Sequence, residues 1–208
     1  MKCLKMLGFA AAATAALMTV VGAGTASAGI LCKNYTEPCN SILKNGEALS
    51  SQLGAKKKAR INTTFAVAEC NKSTLAGKVT KEGGKGIAPE VTVENLSFTE
   101  CSNCEMLVLK DGTYYVSTFP ETGNGTAIGT GQEFVTQCNT IFGKMKCTWV
   151  TKNTPLGEVE HGSPAVIDVF NADPVLNEAA SDKLCEKEAF WYGEYEITKP
   201  VALFVVSE

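Results

Sequence analysis

The chain has one histidine, His161, and one arginine, Arg60, among 208 residues. A structural zinc site draws four ligands from cysteine and histidine, commonly as two C-x-x-C pairs or a C-x-x-C with two histidines. Only one C-x-x-C is present, Cys101-Ser102-Asn103-Cys104, and it has no histidine pair to join. Bidentate clamps on phosphate or carboxylate rest on arginine, so they cannot be numerous. The glycine-rich stretch Gly123-Asn124-Gly125 to Gly131 lacks a Gly-Lys-Ser/Thr ending and opens no helix, so it is no phosphate cradle and reads as a surface loop over 120–131. G-x-S-x-G is absent, and His161-Gly162-Ser163 with Asp168 reads as a surface turn rather than a triad. No cofactor and no metal are expected. Helical periodicity is scarce, and the one long apolar run, Met6–Val21, lies at the N-terminus.

That run follows a basic start, Met1-Lys2-Cys3-Leu4-Lys5, and leads to Ala26-Ser27-Ala28. Basic start, apolar middle and A-x-A end predict a secretory signal peptide, 1–28, cut after Ala28, of bacterial type. The run is too short and wrongly flanked for a membrane span. Cleavage leaves 180 residues, 29–208, and lowers Lys+Arg from 19 to 17 against 22 Asp+Glu, a formal charge of −5. An acidic chain has no electrostatic reason to seek nucleic acid.

Cleavage also turns nine cysteines into eight: Cys32, Cys39, Cys70, Cys101, Cys104, Cys138, Cys147 and Cys185. An even number in an exported chain predicts four disulfides. Cys32 and Cys39 close a small loop. A hairpin turning at Phe142-Gly143 would put Cys138 opposite Cys147 in a cross-strand bridge. Cys70 would look to Cys101 or Cys104, and the other of these to Cys185. A thioredoxin-type pair needs a helix N-terminus after its first cysteine, but Cys104 runs straight into strand residues Glu105–Leu109, so the C-x-x-C reads as framework.

The remaining chain reads as strands. Asp111-Gly112 favours a two-residue type I′ turn. It would pair Leu109 with Tyr114, Val108 with Tyr115 and Leu107 with Val116, in a hairpin buried on both faces. Strands are predicted at Ile61–Glu69 and Thr74–Thr80 about a turn at Asn71-Lys72-Ser73. Val91–Thr99 changes phase between Val93 and Leu96, which a bulge near Glu94-Asn95 would reconcile. Phe134–Val150, Ala165–Phe170, Phe190–Thr198 and Val201–Val206 follow, with one short helix near Asn177–Lys187. Lys152–Pro164 reads as turns, and Lys56-Lys57-Lys58 as a solvated run. A weak likeness between the stretches around Cys70 and Cys138 raises a duplicated hairpin. The fold expected is all-β: a single-domain antiparallel β-sandwich or barrel of about ten strands, stapled by disulfides.

Chemistry has few carriers. Glu194 and Glu196 share a strand face, as do Glu158 and Glu160 if extended, and paired carboxylates serve glycosidases; the outer face of a strand explains them without chemistry. Trp149, Trp191, Tyr192, Tyr114 and Tyr115 could stack on sugars, although core packing is the default for strand aromatics. Asn-x-Ser/Thr triplets at Asn62, Asn95 and Asn124 carry little weight in a bacterial-type export. The expected function is a secreted, non-enzymatic structural, adhesive or ligand-binding protein with an extracellular ligand or envelope component as partner. The alternative is a secreted carboxylate-based hydrolase of an extracellular glycan.

The leader, the strand-turn-strand cysteines and the ending Trp191-Tyr192-Gly193-Glu194-Tyr195-Glu196-Ile197-Thr198 before Pro200 together resemble a group of small exported actinobacterial proteins of unknown function. The resemblance implies export and β-structure and carries no activity.

Overall fold

A computed structural model describes residues 29–207 except 65, 120, 121 and 142; the expected leader lies outside the described residues. The fold is all-β and antiparallel. Its strands are β1 (Gly29–Cys32), β2 (Ala48–Leu53), β3 (Ala59–Asn62), β4 (Val67–Lys81), β5 (Glu90–Ser102), β6 (Cys104–Lys110), β7 (Thr113–Phe119), β8 (Asn124–Thr130), β9 (Glu133–Thr140), β10 (Gly143–Val150), β11 (Thr154–Glu160), β12 (Val166–Ala172), β13 (Val175–Leu176), β14 (Phe190–Lys199) and β15 (Phe204–Ser207).

Eight strands close a barrel in the order β12-β11-β8-β7-β5-β4-β2-β14, with β14 returning to β12. The short β2 and β3 lie end to end in one slot between β4 and β14. β2 pairs with Tyr195–Lys199 and β3 with Phe190–Tyr192. Closure removes the open edges that would otherwise invite pairing with another chain. Alternate residues point inward, and an eight-stranded barrel is just wide enough for side chains to fill it. Leu49, Leu75, Val91, Tyr114, Val159 and Ile197 do so, around a void of only about 20 Å³.

The small residues of β8 explain the fit. Gly125, Ala127 and Gly129 are buried on its inner face, and a side chain at Gly129 would press within 3.1 Å of Leu156. The expected loop over 120–131 is therefore a barrel strand from Asn124 onward. Likewise the turn-rich 152–164 region forms β11, since Leu156 and Val159 supply its inward face.

A second sheet, β13-β10-β9-β6, covers one end of the barrel. Its Phe134 meets Trp191 at 5.9 Å between ring centroids, and Trp191 meets Phe98 at 6.1 Å. The β1–β15 ribbon adds Leu31 and Val205 to the same core cluster.

The Asp111-Gly112 hairpin does not form. β6 pairs with β9, and β7 with β5 and β8, so the two strands belong to different sheets. The Asp111 carboxylate accepts the Leu96 N–H at 3.2 Å, and Gly112 O accepts the Val93 N–H at 2.8 Å. Both groups thus tie the corner to β5. Leu107 and Leu109, expected inside, are exposed. The bulge near Glu94 is present: Asn95 faces Ala76 and Val93 faces Gly77, leaving Glu94 out of the ladder. Val91, Val93, Leu96 and Phe98 are consequently all buried. No turn occurs at Asn71-Lys72-Ser73, because β4 runs through unbroken. The chain turns earlier, where Thr63 N–H donates to Ala66 O at 2.9 Å. Of the two stretches, the one around Cys138 is a hairpin, β9–β10, and the one around Cys70 is a single strand, β4, so the likeness is no duplication; Phe65, which the likeness used, lies outside the described residues. The expected helix at 177–187 reduces to one 3-10 turn, Glu178–Ala180.

All eight cysteines among the described residues are bridged: Cys32–Cys39, Cys70–Cys101, Cys104–Cys138 and Cys147–Cys185. The expected Cys138–Cys147 bridge is replaced. The β9–β10 ladder closes at Thr140–Gly143, which sets Cys138 against Met145 and Cys147 against Thr136. Gly143 is the first residue of β10 and takes a φ of 105°, so it belongs to the strand and not to the turn. Cys138 instead lies directly opposite Cys104 on β6. Cys185, expected to reach Cys101 or Cys104, reaches Cys147.

Candidate functional site

Two concavities carry the chemistry of the surface, and neither is the barrel interior. The larger, about 930 Å³, opens between the β3–β4 and β9–β10 turns. Its wall is apolar: Val67, Met145, Leu184, Ile141 and the Cys104–Cys138 bridge, with Asn103 and Asn139 as polar groups at its rim. Ile141 is 93% exposed and Leu184 58%. Ligand pockets of this kind are mostly apolar with a few placed polar groups, typically about 300–1,000 Å³.

Local structure makes this wall rigid. The segment carrying Leu184 is stitched to β10. Asp182 N–H donates to Lys146 O at 2.9 Å, and Lys146 N–H donates to the Asp182 carboxylate at 2.7 Å. Thr148 N–H donates to Ser181 Oγ at 2.9 Å, and Cys185 is bonded to Cys147. The Asp182 and Ser181 side chains satisfy N–H groups on the free edge of β10, Lys146 and Thr148, so the segment covers a strand edge instead of forming a helix. Neither Leu184 nor Ile141 was singled out by the sequence. An apolar residue inside a polar turn was the only available signal.

The second concavity, about 430 Å³, lies on the outer barrel wall between the β2–β3 connection and strands β12 and β14. Here Lys57 Nζ meets Glu194 Oε2 at 2.6 Å. Asp168 stands directly opposite Glu194 on β14 and Glu158 on β11. Burial, and then Glu194, push its carboxyl above the ordinary value of 3.8, with Lys57 opposing. Lys58 and Arg60 both bind Glu69. The Lys56–Lys58 run is therefore one bank of a groove. Glu196 does not line it and stands opposite Gln52 and Val166; its Oε1 and that of Glu194 both come close to where a Cβ on Gly54 would lie, at 3.2 and 3.6 Å, on the open outer wall and not in a deep cleft.

The other sequence candidates are dispersed. His161 Nδ1 donates to Asn124 Oδ1 at 2.7 Å, and its ring stacks on Phe204 and Tyr35 at 5.5 and 6.2 Å. Ser163 Oγ donates to Val201 O at 3.3 Å, so neither residue joins Asp168. Trp149 and Trp191 are core residues. Tyr114 and Tyr195 are buried inside the barrel; burial raises both phenols, that of Tyr195 to about 12. Cys101 and Cys104 sit in separate bridges, which removes the redox pair. Among the described residues no group of three His, Cys, Asp or Glu could hold a metal ion, and no helix is long and apolar enough to cross a membrane.

Compared with known proteins, the chain matches no family model, no curated protein and no solved structure.

Proposed function

We infer that this is an exported, non-enzymatic binding protein that holds an apolar small molecule or acyl chain in the concavity between the β3–β4 and β9–β10 turns. The observation that carries this reading is the wall itself. It is the larger of the two concavities, it is apolar, and a disulfide forms part of it while a second anchors Leu184. A surface fixed before binding loses less conformational entropy when a ligand arrives. The barrel interior is filled and leaves no room for a ligand there. Export accords with the leader pattern and with four bridges, which suit an oxidising compartment.

Titration of the mature protein with a fluorescent fatty-acid analogue tests the reading. Saturable binding is expected, weakened about tenfold by Leu184→Asp, since a charge there removes apolar contact worth about 1.4 kcal/mol. Absence of saturable binding, or binding that Leu184→Asp leaves unchanged, overturns it.

A further inference from the structure

The groove on the outer wall has a different character and takes a different ligand. Its aromatic wall is built by a bulge. Val169 pairs with Gly193 and Ala172 with Trp191, so Phe170 and Asn171 together oppose Tyr192. Asn171 takes a φ of 56° there. A bulge of this kind re-aims a side chain, and bulges gather beside functional sites. The result is a Phe170 side chain 69% exposed on a strand that buries Ile167, Val169 and Ala172. Tyr192 holds it edge-on at 5.7 Å and 80°, and the Tyr192 hydroxyl is itself fixed by donating to Asn171 Oδ1 at 2.7 Å. One face of Phe170 is left for a ligand.

The polar bank supplies both kinds of hydrogen-bonding group. Lys57 and Arg60 donate; Asp168 and Glu194 accept. Most of these charges already offset one another, Lys57 with Glu194, and Lys58 and Arg60 with Glu69. Asp168 alone of the groove carboxylates has no hydrogen-bond or ion-pair partner among the described residues, although it is half-buried. Lys56, Lys57, Lys58 and Arg60 stand against Asp168, Glu194 and the neighbouring Glu69, a surplus of one positive charge, which gives a polyanion little to hold. The groove suits a neutral ligand rich in groups that donate and accept at once, with an apolar face to lay on an aromatic ring.

We propose that this groove binds a neutral saccharide, one pyranose ring stacking on Phe170 while its hydroxyls donate to Asp168 and Glu194 and accept from Lys57 and Arg60. The site is separate from the apolar concavity and does not depend on it.

Affinity electrophoresis and NMR titration of the mature protein with cellohexaose, laminarihexaose and xylohexaose test the assignment. At least one of the three binds. Phe170→Ala weakens that binding about tenfold, near the upper end of what an aromatic contact contributes, and Phe170→Tyr restores it. Asp168→Asn weakens it because the amide offers one acceptor where the carboxylate offers two. Leu184→Asp leaves it unchanged. Because Phe170 is exposed, both Phe170 variants keep the parent's melting temperature, so lost binding is not lost folding. No binding to any of the three sugars overturns the proposal. So does binding indifferent to Phe170→Ala, or binding only to polygalacturonate that disappears at high salt, which would assign the groove to its lysines.

Discussion

Three carboxylates stand side by side across the outer wall, Glu158 on β11, Asp168 on β12 and Glu194 on β14, with Asp168 directly opposite both others. Like charges in that register destabilise a sheet, and Lys57 offsets only part of the cost, through Glu194. Asp168 records the imbalance: burial first, then Glu194, raises its carboxyl above 3.8. The folded protein therefore holds this proton to higher pH than the unfolded chain does. Its contribution to stability is fully present below the ordinary carboxylate value and is lost as pH rises through the raised folded value. At neutral pH the charge is a net burden. Asp168→Asn is expected to stabilise the protein at neutral pH by on the order of 0.5 kcal/mol, seen as a higher melting temperature, and the gain should vanish on acidification below 3.8. Thermal melts of both proteins across that range decide it; a gain that persists in acid would locate the effect elsewhere.

Asp111-Gly112 shows what an element boundary is made of. The sequence signal for a two-residue hairpin is local, and the same two residues serve equally well at a corner where the chain leaves one sheet for another. Gly112 is required there by crowding: a Cβ would lie 2.6 Å from both Gln132 N and Thr130 O, which are backbone atoms and cannot swing away. Gly112→Ala should cost about 3 kcal/mol, the upper range for overpacking, seen as a lower urea midpoint; a midpoint equal to the parent's would mean the corner relaxes freely. The same distinction explains which elements were legible. The Glu94 bulge was readable because a phase change in apolar residues has one simple cure. β8 was not, because inward positions filled by Gly125, Ala127 and Gly129 carry no apolar signal; the space at Gly129 belongs to Leu156 and that at Gly125 to Val116 and Val205, and Leu156 and Val205 are distant in sequence. The bulge that turns out Phe170 was hidden for a like reason, since the six-residue stretch Ala165–Phe170 reads the same with or without it. Glu194 and Asp168 were both visible as candidates, yet their meeting depends on the β12–β14 register that closes the barrel.

At the scale of the whole molecule, the disulfides divide by what they join. Cys32–Cys39 closes a loop with a sequence separation of 7, whereas Cys147–Cys185, Cys104–Cys138 and Cys70–Cys101 span 38, 34 and 31. In the chain-entropy account, a bridge restrains the unfolded state more as its loop lengthens. The short bridge should then contribute about 2 kcal/mol and each long one about 4 kcal/mol. The long bridges also act on the native state. Cys104–Cys138 joins the β6–β9 edge pair, and Cys147–Cys185 holds the segment that carries Leu184. Replacing Cys147 and Cys185 together by serine should therefore lower the urea midpoint more than replacing Cys32 and Cys39, and should also loosen the Leu184 wall. Hydrogen exchange would show the second effect as lost protection at Asp182 N–H, which donates to Lys146 O in the intact protein. Equal losses from the two double variants would contradict the chain-entropy account, and unchanged exchange at Asp182 would mean that the apolar wall is held by its hydrogen bonds alone.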